Sequence, residues 1–561
     1  MRSLIDARAL ALICAAALGL AQTNSETSQD IDSRVRALYE RGEWAEAARV
    51  AVEAHERSAD VDLYRGLALA RLGKLGEAEL AFLDGHRMHR DDSRFGLELA
   101  GIAYRKDDKA TAKRRLMEAL RLDPSSAYGN DFLGTLFLLE GNLPATLKYW
   151  NRIDKPLIQN VQFAPALNLQ PVLRERTLAI SPGQVLTLDR LWTTETHLDR
   201  LDILASYQFD LTPRQDQRFD LTLRSLENSR PLSGWLGKVL PYARGLPYQT
   251  IYADFYNLDQ RAINFTAFAR WDPDKRRIAA SLAGPIALNP RRRYRFSADI
   301  RDEQWDLRTT YFGRPGGLDD LILRKIEVGA EIDSGLTPGL SWASGLWVAR
   351  RRFQNGDPSS FFQNSWSFQL RNSLNYRLWT VPERRVRTDA SLLVRAGRVL
   401  TGAPSRFVIA EGGLSGIWFP LAKGEDLEVG VSMRGARTFG ALPLDEYFYL
   451  GMERDNDLWL RGHLGARDGR KGTAPLGTEY SLFKTELSRT VFKFPLVRVQ
   501  LGPFFDAGRI GDPSGRFGSR GWMEDTGLQV KIKAPGNLTW TLVYGRNLRD
   551  RGGVFYTSVS R

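Results

Sequence analysis

The sequence predicts a multidomain protein with three parts: α-helical repeats, a small α+β domain and an all-β transmembrane barrel of about 16 strands. Three observations lead to this fold class. A helical pattern recurs roughly every 34 residues in the first part of the chain. A mixed order of strands and helices follows it, and the rest of the chain alternates apolar and polar residues with the period of two that β-strands have.

The composition indicates folded domains with an excess of basic over acidic residues. The 561 residues are 43% hydrophobic and 26% charged, which does not fit a disordered chain. The formal net charge is +13, but arginines are spread along alternating segments rather than concentrated on one helix or arm. We therefore expect no nucleic-acid partner. An anionic membrane surface or a cationic lumen explains this distribution better.

The first residues predict a cleavable secretory signal at 1–21. Arg2 and Arg8 supply basic charge, Ala9–Leu20 is apolar, and small residues lie just before the expected cut at Gln22. The only cysteine, Cys14, falls inside this segment, so the mature chain has no thiol or disulfide chemistry. No later apolar run reaches the length of a membrane-spanning helix, so any span must be a closed barrel.

Residues 32–156 carry a repeated helical pattern. Its turns fall at Gly42, Gly73, Asp107 and Gly141, which are 31, 34 and 34 residues apart. A small residue precedes the last three turns by seven positions, at Gly66, Ala100 and Gly134. The pattern resembles tetratricopeptide repeats, in which small residues let paired helices pack closely. The resemblance implies a concave protein-binding surface, and the alternative is a spacer of stacked helices.

Residues 159–229 predict a small α+β domain in the order β-α-α-β-β. The predicted strands cover 161–169, 205–213 and 218–227, and the helices cover 169–180 and 187–201. This order, with a glycine between the helices, resembles a POTRA domain; the alternative is an ordinary α+β linker domain. A POTRA domain offers a sheet edge to which an extended client segment can add. We expect Phe219, Leu221 and Leu223 to form this edge.

Residues 249–561 predict the barrel. One example of the alternation has apolar Leu427, Val429, Val431 and Met433 interleaved with polar or small residues. A soluble sandwich also alternates, but many strands here run to about 10 residues, the length that a tilted strand needs to cross a bilayer. Tryptophans expected at the membrane interfaces are Trp271, Trp305, Trp342, Trp347 and Trp540.

A long connection interrupts the barrel pattern between about residues 438 and 478. It contains Trp459, Leu460, Arg461 and Gly462, and its length favours a functional or inward-folded segment. Downstream, period two places Asp506 on the polar face of its strand, which in a barrel is the lumen. A bidentate Arg461–Asp506 pair would fix the loop, with Trp459 and Leu460 packed on the wall.

Two short motifs give a specific resemblance. WLRGH at 459–463 resembles the R-G-[FY] tip of the sixth loop in BamA/TamA-like assembly barrels and two-partner-secretion transporters. FFDAG at 504–508 is similar to their F-x-D-x-G strand, whose aspartate holds that arginine. The resemblance covers about 159–561 and implies that Arg461, Gly462, Phe504, Asp506 and Gly508 lock the loop. His463 departs from the usual aromatic residue.

The resemblance implies an outer-membrane barrel with its N-terminal domains in the periplasm, which helps to insert or translocate other proteins. The expected partners are outer-membrane lipid, unfolded or exported client proteins, and a periplasmic protein at the repeats. One alternative is a channel or exporter for polysaccharide or solutes. Another is a structural or surface-display barrel whose repeats bind a periplasmic partner.

No enzymatic activity, cofactor or metal is expected. The chain has five histidines, and His86 and His89 lie three residues apart without a third ligand beside them. No phosphate-binding glycine loop or nucleophile with a histidine partner has the required context.

Overall fold

The computed structural model of the protein divides into two compact units, which meet in sequence at Lys155 and Pro156. The residues that the structure describes are 30–54, 57–228, 242, 244–312, 318–356, 362, 364–400, 405–494, 497–534, 538–550 and 552–560. The predicted signal at 1–21 lies outside them. Within the described residues, no helix combines the length and apolar character that crossing a membrane requires.

The first unit consists of helices. They are α1 (30–40), α2 (Trp44–Glu53), α3 (Ala59–Arg71), α4 (Leu75–Met88), α5 (Ser93–Arg105), α6 (Lys109–Leu122), α7 (Ala127–Leu139) and α8 (Leu143–Trp150). The four residues at which the sequence predicted turns all have positive φ, from 59° at Asp107 to 83° at Gly42. Glycine adopts this backbone at little cost, which is why three of the four turns use it.

Close helix packing explains two of the small residues that precede the turns. A Cβ atom added to Gly66 on α3 would lie 2.3 Å from the ring of Phe82 on α4. One added to Gly134 on α7 would lie 2.2 Å from the ring of Trp150 on α8. The aromatic ring of the second helix in each pair therefore occupies the space that a side chain on the first would need.

The second unit begins with an α+β domain in the predicted order. Its elements are β1 (Ile158–Ala164), α9 (Pro171–Thr177), α10 (Leu188–Leu201), β2 (Leu204–Pro213) and β3 (Phe219–Glu227). The sheet order is β1-β3-β2, with β3 parallel to β1 and antiparallel to β2. The predicted first strand is too long, because β1 ends just before Pro165.

The prediction that a client segment adds to the strand of Phe219, Leu221 and Leu223 is wrong. Phe219, Leu221 and Leu223 lie on β3, which is the central strand, and all three side chains are buried. Their apolar alternation reports a strand that packs against the helices, and Leu223 shares a core with Leu173 on α9. The strands at the edges of this sheet are β1 and β2.

The rest of the second unit is a closed barrel. Its long strands are β4 (Thr250–Leu258), β5 (Ile263–Asp272), β6 (Lys275–Ile286), β7 (Asn289–Trp305), β8 (Leu321–Thr337), β9 (Leu340–Gln354), β10 (Ser365–Val381), β11 (Val386–Leu400), β12 (Ser405–Trp418), β13 (Leu427–Gly440), β18 (Glu479–Phe494), β19 (Val497–Gly511), β20 (Met523–Ala534), β21 (Leu538–Asn547) and β22 (Gly553–Ser560). Four two-residue strands, β14 (Phe448–Tyr449), β15 (Ala466–Arg467), β16 (Arg470–Lys471) and β17 (Leu476–Gly477), lie between β13 and β18. The described residues thus contain fifteen long strands where the sequence predicted about sixteen.

The barrel wall is apolar outside and polar inside. Ile326, Val328 and Ile332 on β8 are each about half exposed, whereas Lys325, directly before Ile326, points inward and is buried. Such an apolar outer band suits lipid rather than water. Trp271 and Trp342 lie on the outer face as predicted, but Trp305 and Trp347 are buried in the lumen and do not contribute to an interfacial girdle.

The α+β domain contacts the short turns at one end of the barrel. The backbone N–H of Gln170 donates to the carbonyl oxygen of Gln260 at 2.9 Å. Thr196 Oγ1 donates to the carbonyl oxygen of Pro338 at 2.6 Å. The long connections, including 441–478, leave the opposite end, so the barrel has one end beside the α+β domain and one away from it.

Candidate functional site: a loop folded into the barrel

Residues 441–478 form a loop inside the lumen. Leu450, Leu458 and Leu460 are buried in an apolar cluster that also contains wall residues such as Leu482 and Ile510. Burial of three leucines against the wall stabilises the folded-in position by about 1.5–3 kcal/mol for each side chain. The loop is therefore part of the barrel core rather than a surface excursion.

Arg461 at the loop tip binds Asp506 on β19 through both carboxylate oxygens. The distances are 2.8 Å from Nε to Oδ2 and 2.6 Å from the second guanidinium nitrogen to Oδ1. The backbone N–H of Arg461 also donates to Oδ2 at 3.1 Å. Both side chains are almost fully buried, so removal of either one leaves the other in the lumen without its bidentate partner.

Three further wall groups surround the Arg461 guanidinium. It donates to Gln529 Oε1 at 2.9 Å and to Glu486 Oε2 at 3.1 Å. The ring of Phe504 lies under it, with 3.9 Å between the guanidinium carbon and the ring centroid. These contacts use the planar, multidentate shape of arginine, which a lysine cannot reproduce.

The next two residues of the tip bind Asp525 on β20. The backbone N–H of Gly462 donates to Asp525 Oδ2 at 2.6 Å, and His463 Nδ1 lies 3.1 Å from the same oxygen. Asn547 Nδ2 lies 3.1 Å from His463 Nε2. The neutral imidazole with its proton on Nδ1 satisfies both contacts, which gives His463 a role that the sequence did not reveal.

Glycines let the tip approach the wall. A Cβ atom on Gly462 would lie 2.5 Å from Asp525 Oδ1, and one on Gly545 of β21 would lie 1.7 Å from the carbonyl oxygen of Arg461. Gly508 faces Leu460, whose methyl carbon would lie 3.1 Å from an added Cβ. Gly462 and Gly545 therefore mark the points at which loop and wall backbones meet most closely.

Trp459 and Leu460 pack against the wall. Leu460 is fully buried in the apolar cluster of the loop. Trp459 Nε1 donates to the carbonyl oxygen of Asn456 at 2.7 Å, and its ring meets that of Tyr556 on β22 edge-on at 5.5 Å. The large apolar pair before the Arg-Gly tip is thus accommodated inside the barrel.

A second group of contacts holds the beginning of the loop. Asp445 and Glu446 lie between basic residues of β8, β9 and β11: Lys325 Nζ is 2.9 Å from Asp445 and 3.1 Å from Glu446. Arg351 contacts both carboxylates at 2.9 and 3.2 Å, and Arg395 reaches Glu446 at 3.0 Å. Two adjacent loop acids thus form ion pairs with three wall cations.

A third group holds the middle of the loop against β5 and β6. Glu453 accepts from Lys275 at 3.0 Å. Asp455 accepts from Arg270 at 2.7 Å and from Arg277 at 2.6 Å. The loop is therefore fixed by charge at three places around the wall, of which Arg461–Asp506 is one. Among the described residues, no three His, Cys, Asp or Glu side chains come together as a metal site requires.

No protein-family model matches the chain, and no curated protein matches it. The chain does match solved structures. The chain is similar to BamA from Haemophilus ducreyi lacking POTRA domains 1–3, with 12% identity and a TM-score of 0.42, over 72% of this chain and 84% of that one. It is also similar to CdiB from Acinetobacter baumannii, with 12% identity and a TM-score of 0.44, over 79% of this chain and 81% of that one. The similarity to CdiB from Escherichia coli has 15% identity and a TM-score of 0.43, over 72% of this chain and 75% of that one.

The structure brings together every residue that the motifs placed in the loop lock: Arg461, Gly462, Phe504, Asp506 and Gly508. Sequence reasoning did not assign wall partners to Asp445, Glu446, Glu453 and Asp455, and it missed Asp525 altogether. A usable signal was present on β6, where Lys275 and Arg277 both lie on the inward face and therefore require acidic partners inside the lumen.

Proposed function

We propose that the protein resides in the outer membrane, with its N-terminal domains in the periplasm, and assists the insertion or translocation of other proteins. The observation that carries this proposal is the inward-folded loop, whose tip is held on the lumen wall by the buried Arg461–Asp506 pair. A loop fixed in this way can shape the lumen and the adjacent strands for a passing client. The apolar outer face of the barrel supports the membrane location.

The α+β domain is proposed to act as a POTRA-like domain that receives the client. Because β3 is central, the client strand would add to an outer strand of the sheet, and β2 (Leu204–Pro213) offers the better edge. On β1, the backbone N–H and carbonyl of Ile158 already bind Gln184 and Gly183 at 3.0 and 2.7 Å. The helical repeats would bind a periplasmic protein or a further part of the client.

Photocrosslinking from β2 tests this function. A photoreactive amino acid would replace exposed Ser206 or Gln208 on β2, and Asp189 at the exposed start of α10 would serve as the control position. We expect crosslinks from β2 to proteins whose level in or beyond the outer membrane falls when the barrel is deleted. In a background that carries Arg461→Asp, the crosslinked clients should accumulate while surface delivery falls.

Two results would contradict the proposal. Crosslinking from Asp189 as strong as from Ser206 and Gln208 would show that β2 is not a specific edge. Steady conductance of the purified barrel, with no client crosslinks and an unchanged outer-membrane proteome on deletion, would instead favour an exporter of polysaccharide or solutes.

A further inference from the structure

A row of arginines lies on the outward face of the barrel, at the end away from the α+β domain. Arg276 on β6, Arg324 on β8 and Arg352 on β9 are all exposed. The register pairs Arg276 with Asp302 and Asp302 with Arg324. It also pairs Arg324 with Arg352, so the row follows one line of paired positions across four neighbouring strands. We call these three arginines, together with exposed Arg350 on β9, the basic row.

Little negative charge faces the basic row. Arg324 Nε donates to Asp302 Oδ2 at 3.1 Å, and both side chains remain more than a third exposed. Among the described residues, no carboxylate pairs with Arg276, Arg350 or Arg352. Four guanidinium groups therefore share one acidic partner, which leaves a concentrated positive surface.

The outward face changes from charged to apolar immediately beside the basic row. One step along the strands lie Ile278, Ile300 and Ile326, each about half exposed and aligned by the register. The next step continues with Val328, Val348 and Phe368. On β6, β8 and β9 the other outward positions of the ladder carry no charge, so charge on these strands is confined to the end away from the α+β domain.

A groove of about 500 Å³ joins the two kinds of surface. Apolar side chains of Trp271, Ile278, Ile300 and Ile326 line it together with arginines of the basic row. Its volume suits part of an acyl chain, and the arginines of the basic row line the same groove. A surface that combines an apolar groove with neighbouring cations is typical of sites that bind amphipathic ligands with an anionic head.

We propose that the basic row and this groove bind a phosphorylated glycolipid of the outer leaflet, the chemical class of lipid A. The inference rests on the proposed outer-membrane location, because the α+β domain on the periplasmic side places the row toward the cell exterior. Guanidinium groups bind phosphate oxygens in bidentate fashion, and the apolar band accommodates acyl chains. A free anion would gain nothing from the groove, and an acidic protein would not match an apolar face that continues down the wall.

Native mass spectrometry of the full-length protein in detergent tests the proposal with diphosphoryl lipid A as the probe. The variants are Arg324→Gln and the triple Arg276→Gln/Arg324→Gln/Arg352→Gln. Arg292→Gln is the matched control, because Arg292 is an exposed, outward arginine on β7 at the opposite end of the wall. We expect the triple variant to bind at least about tenfold more weakly, the single variant to be intermediate, and the control to remain within about twofold.

Binding of dephosphorylated lipid A to the unmodified protein is a second, independent measurement. The test therefore does not depend on the folding of the triple variant. Dephosphorylated lipid A should bind about as weakly as intact lipid A binds the triple variant, and inorganic phosphate should not displace the lipid. Equal binding of both lipids, unaffected binding in the triple variant, or displacement by inorganic phosphate would each overturn the proposal. Since no client is present, failure here is distinguishable from failure of the client crosslinking experiment.

Discussion

His463 and Gly462 share one acceptor: Oδ2 of Asp525 lies 3.1 Å from His463 Nδ1 and 2.6 Å from the backbone nitrogen of Gly462. The side chain that departs from the R-G-[FY] pattern therefore reinforces the contact that the backbone of the tip makes. Asn547 contacts the other ring nitrogen and orients the imidazole. The tip is thus held by two neighbouring carboxylates, Asp506 and Asp525, on adjacent strands.

Replacing His463 with phenylalanine should loosen the loop tip, although it introduces the aromatic residue of the R-G-[FY] pattern that the tip resembles. Asp525 is fully buried, so loss of the imidazole leaves its carboxylate with an unmet hydrogen bond that costs about 1–3 kcal/mol. Hydrogen exchange of the peptide that contains Gly462 should then be several-fold faster. Arg467→Gln, an exposed change in the same loop, is the control. Unchanged exchange in the phenylalanine variant would show that the imidazole contributes nothing.

Reversing one charge of the Arg461–Asp506 pair should impair client delivery strongly. Arg461→Asp removes the cation that pairs with buried Asp506 and places a second carboxylate beside it, and breaking a buried pair of this kind costs about 3–5 kcal/mol. The double variant Arg461→Asp/Asp506→Arg should recover part of the activity, because opposite charges again face each other. The backbone contact and Glu486 limit that recovery.

Outer-membrane delivery of the crosslinked clients is the measurement for the charge reversal. Arg467→Asp, which adds the same negative charge to an exposed position of the loop, should leave delivery unchanged. Normal delivery in both single variants would end the idea that the pair locks the loop.

Gly462→Ala should weaken the binding of the loop tip to the wall by a steric clash, without any change in charge. The added carbon would lie 2.5 Å from Asp525 Oδ1 and 2.9 Å from the backbone nitrogen of Asn547, so the loop must move away from the wall. Gly412→Ala on β12 is the matched control, since its added carbon meets no atom within 4 Å. We expect faster exchange of the loop and reduced client delivery for the first variant only, and equal behaviour of both would refute the close-approach argument.

The sequence allowed prediction of the parts of this fold that depend on local periodicity. Period two identified the barrel strands and placed Asp506 inside, because side chains of a strand alternate between its two faces. The same rule, applied fully, would also have placed Trp347 inside, since it shares a face with Arg351, and Trp305 beside Glu303. The error came from treating tryptophan as an interfacial residue by type instead of by position.

The remaining features could not be predicted because they depend on pairing between strands that lie far apart in the sequence. The alternation of Phe219, Leu221 and Leu223 correctly indicates a strand, but whether that strand is central depends on its parallel pairing with β1, some 60 residues earlier. The contacts of Asp445 and Glu453 depend likewise on the path of the loop through the lumen. Local patterns specify which face a side chain occupies, and they do not specify which other strand it meets.

The α+β domain should lose stability as the pH rises through neutrality, because burial raises the pKa of Glu195 on α10 to about 7. A carboxyl whose folded pKa lies above its unfolded value near 4.5 favours the folded state below pH 4.5, and this contribution disappears as the pH rises through 7. The difference corresponds to about 3 kcal/mol at most. Glu195→Gln should therefore raise the melting temperature at pH 8 relative to the unmodified chain, and hardly at pH 5.

The comparison between variants is needed because His197 on the same helix acts in the opposite direction. Burial lowers the pKa of His197, so its contribution is present above its unfolded value and is lost as the pH falls. Subtracting the melting temperature of the unmodified chain from that of Glu195→Gln at each pH removes the histidine effect. A difference that stays constant from pH 5 to pH 8 would show that Glu195 titrates normally.

Gly66→Ala should destabilise the helical repeats even though alanine favours helix more than glycine by about 1 kcal/mol. The added carbon would lie 2.3 Å from the ring of Phe82, which is fully buried and cannot move away without disturbing its neighbours. Gly101→Ala on α5, where an added carbon meets nothing within 4 Å, should instead raise the stability of the repeats. Thermal melts of the full-length variants, followed by circular dichroism at the helical band, should therefore shift in opposite directions. A higher melting temperature for both would mean that the α3–α4 contact can open at little cost and that the small residue before the turn is not a packing requirement.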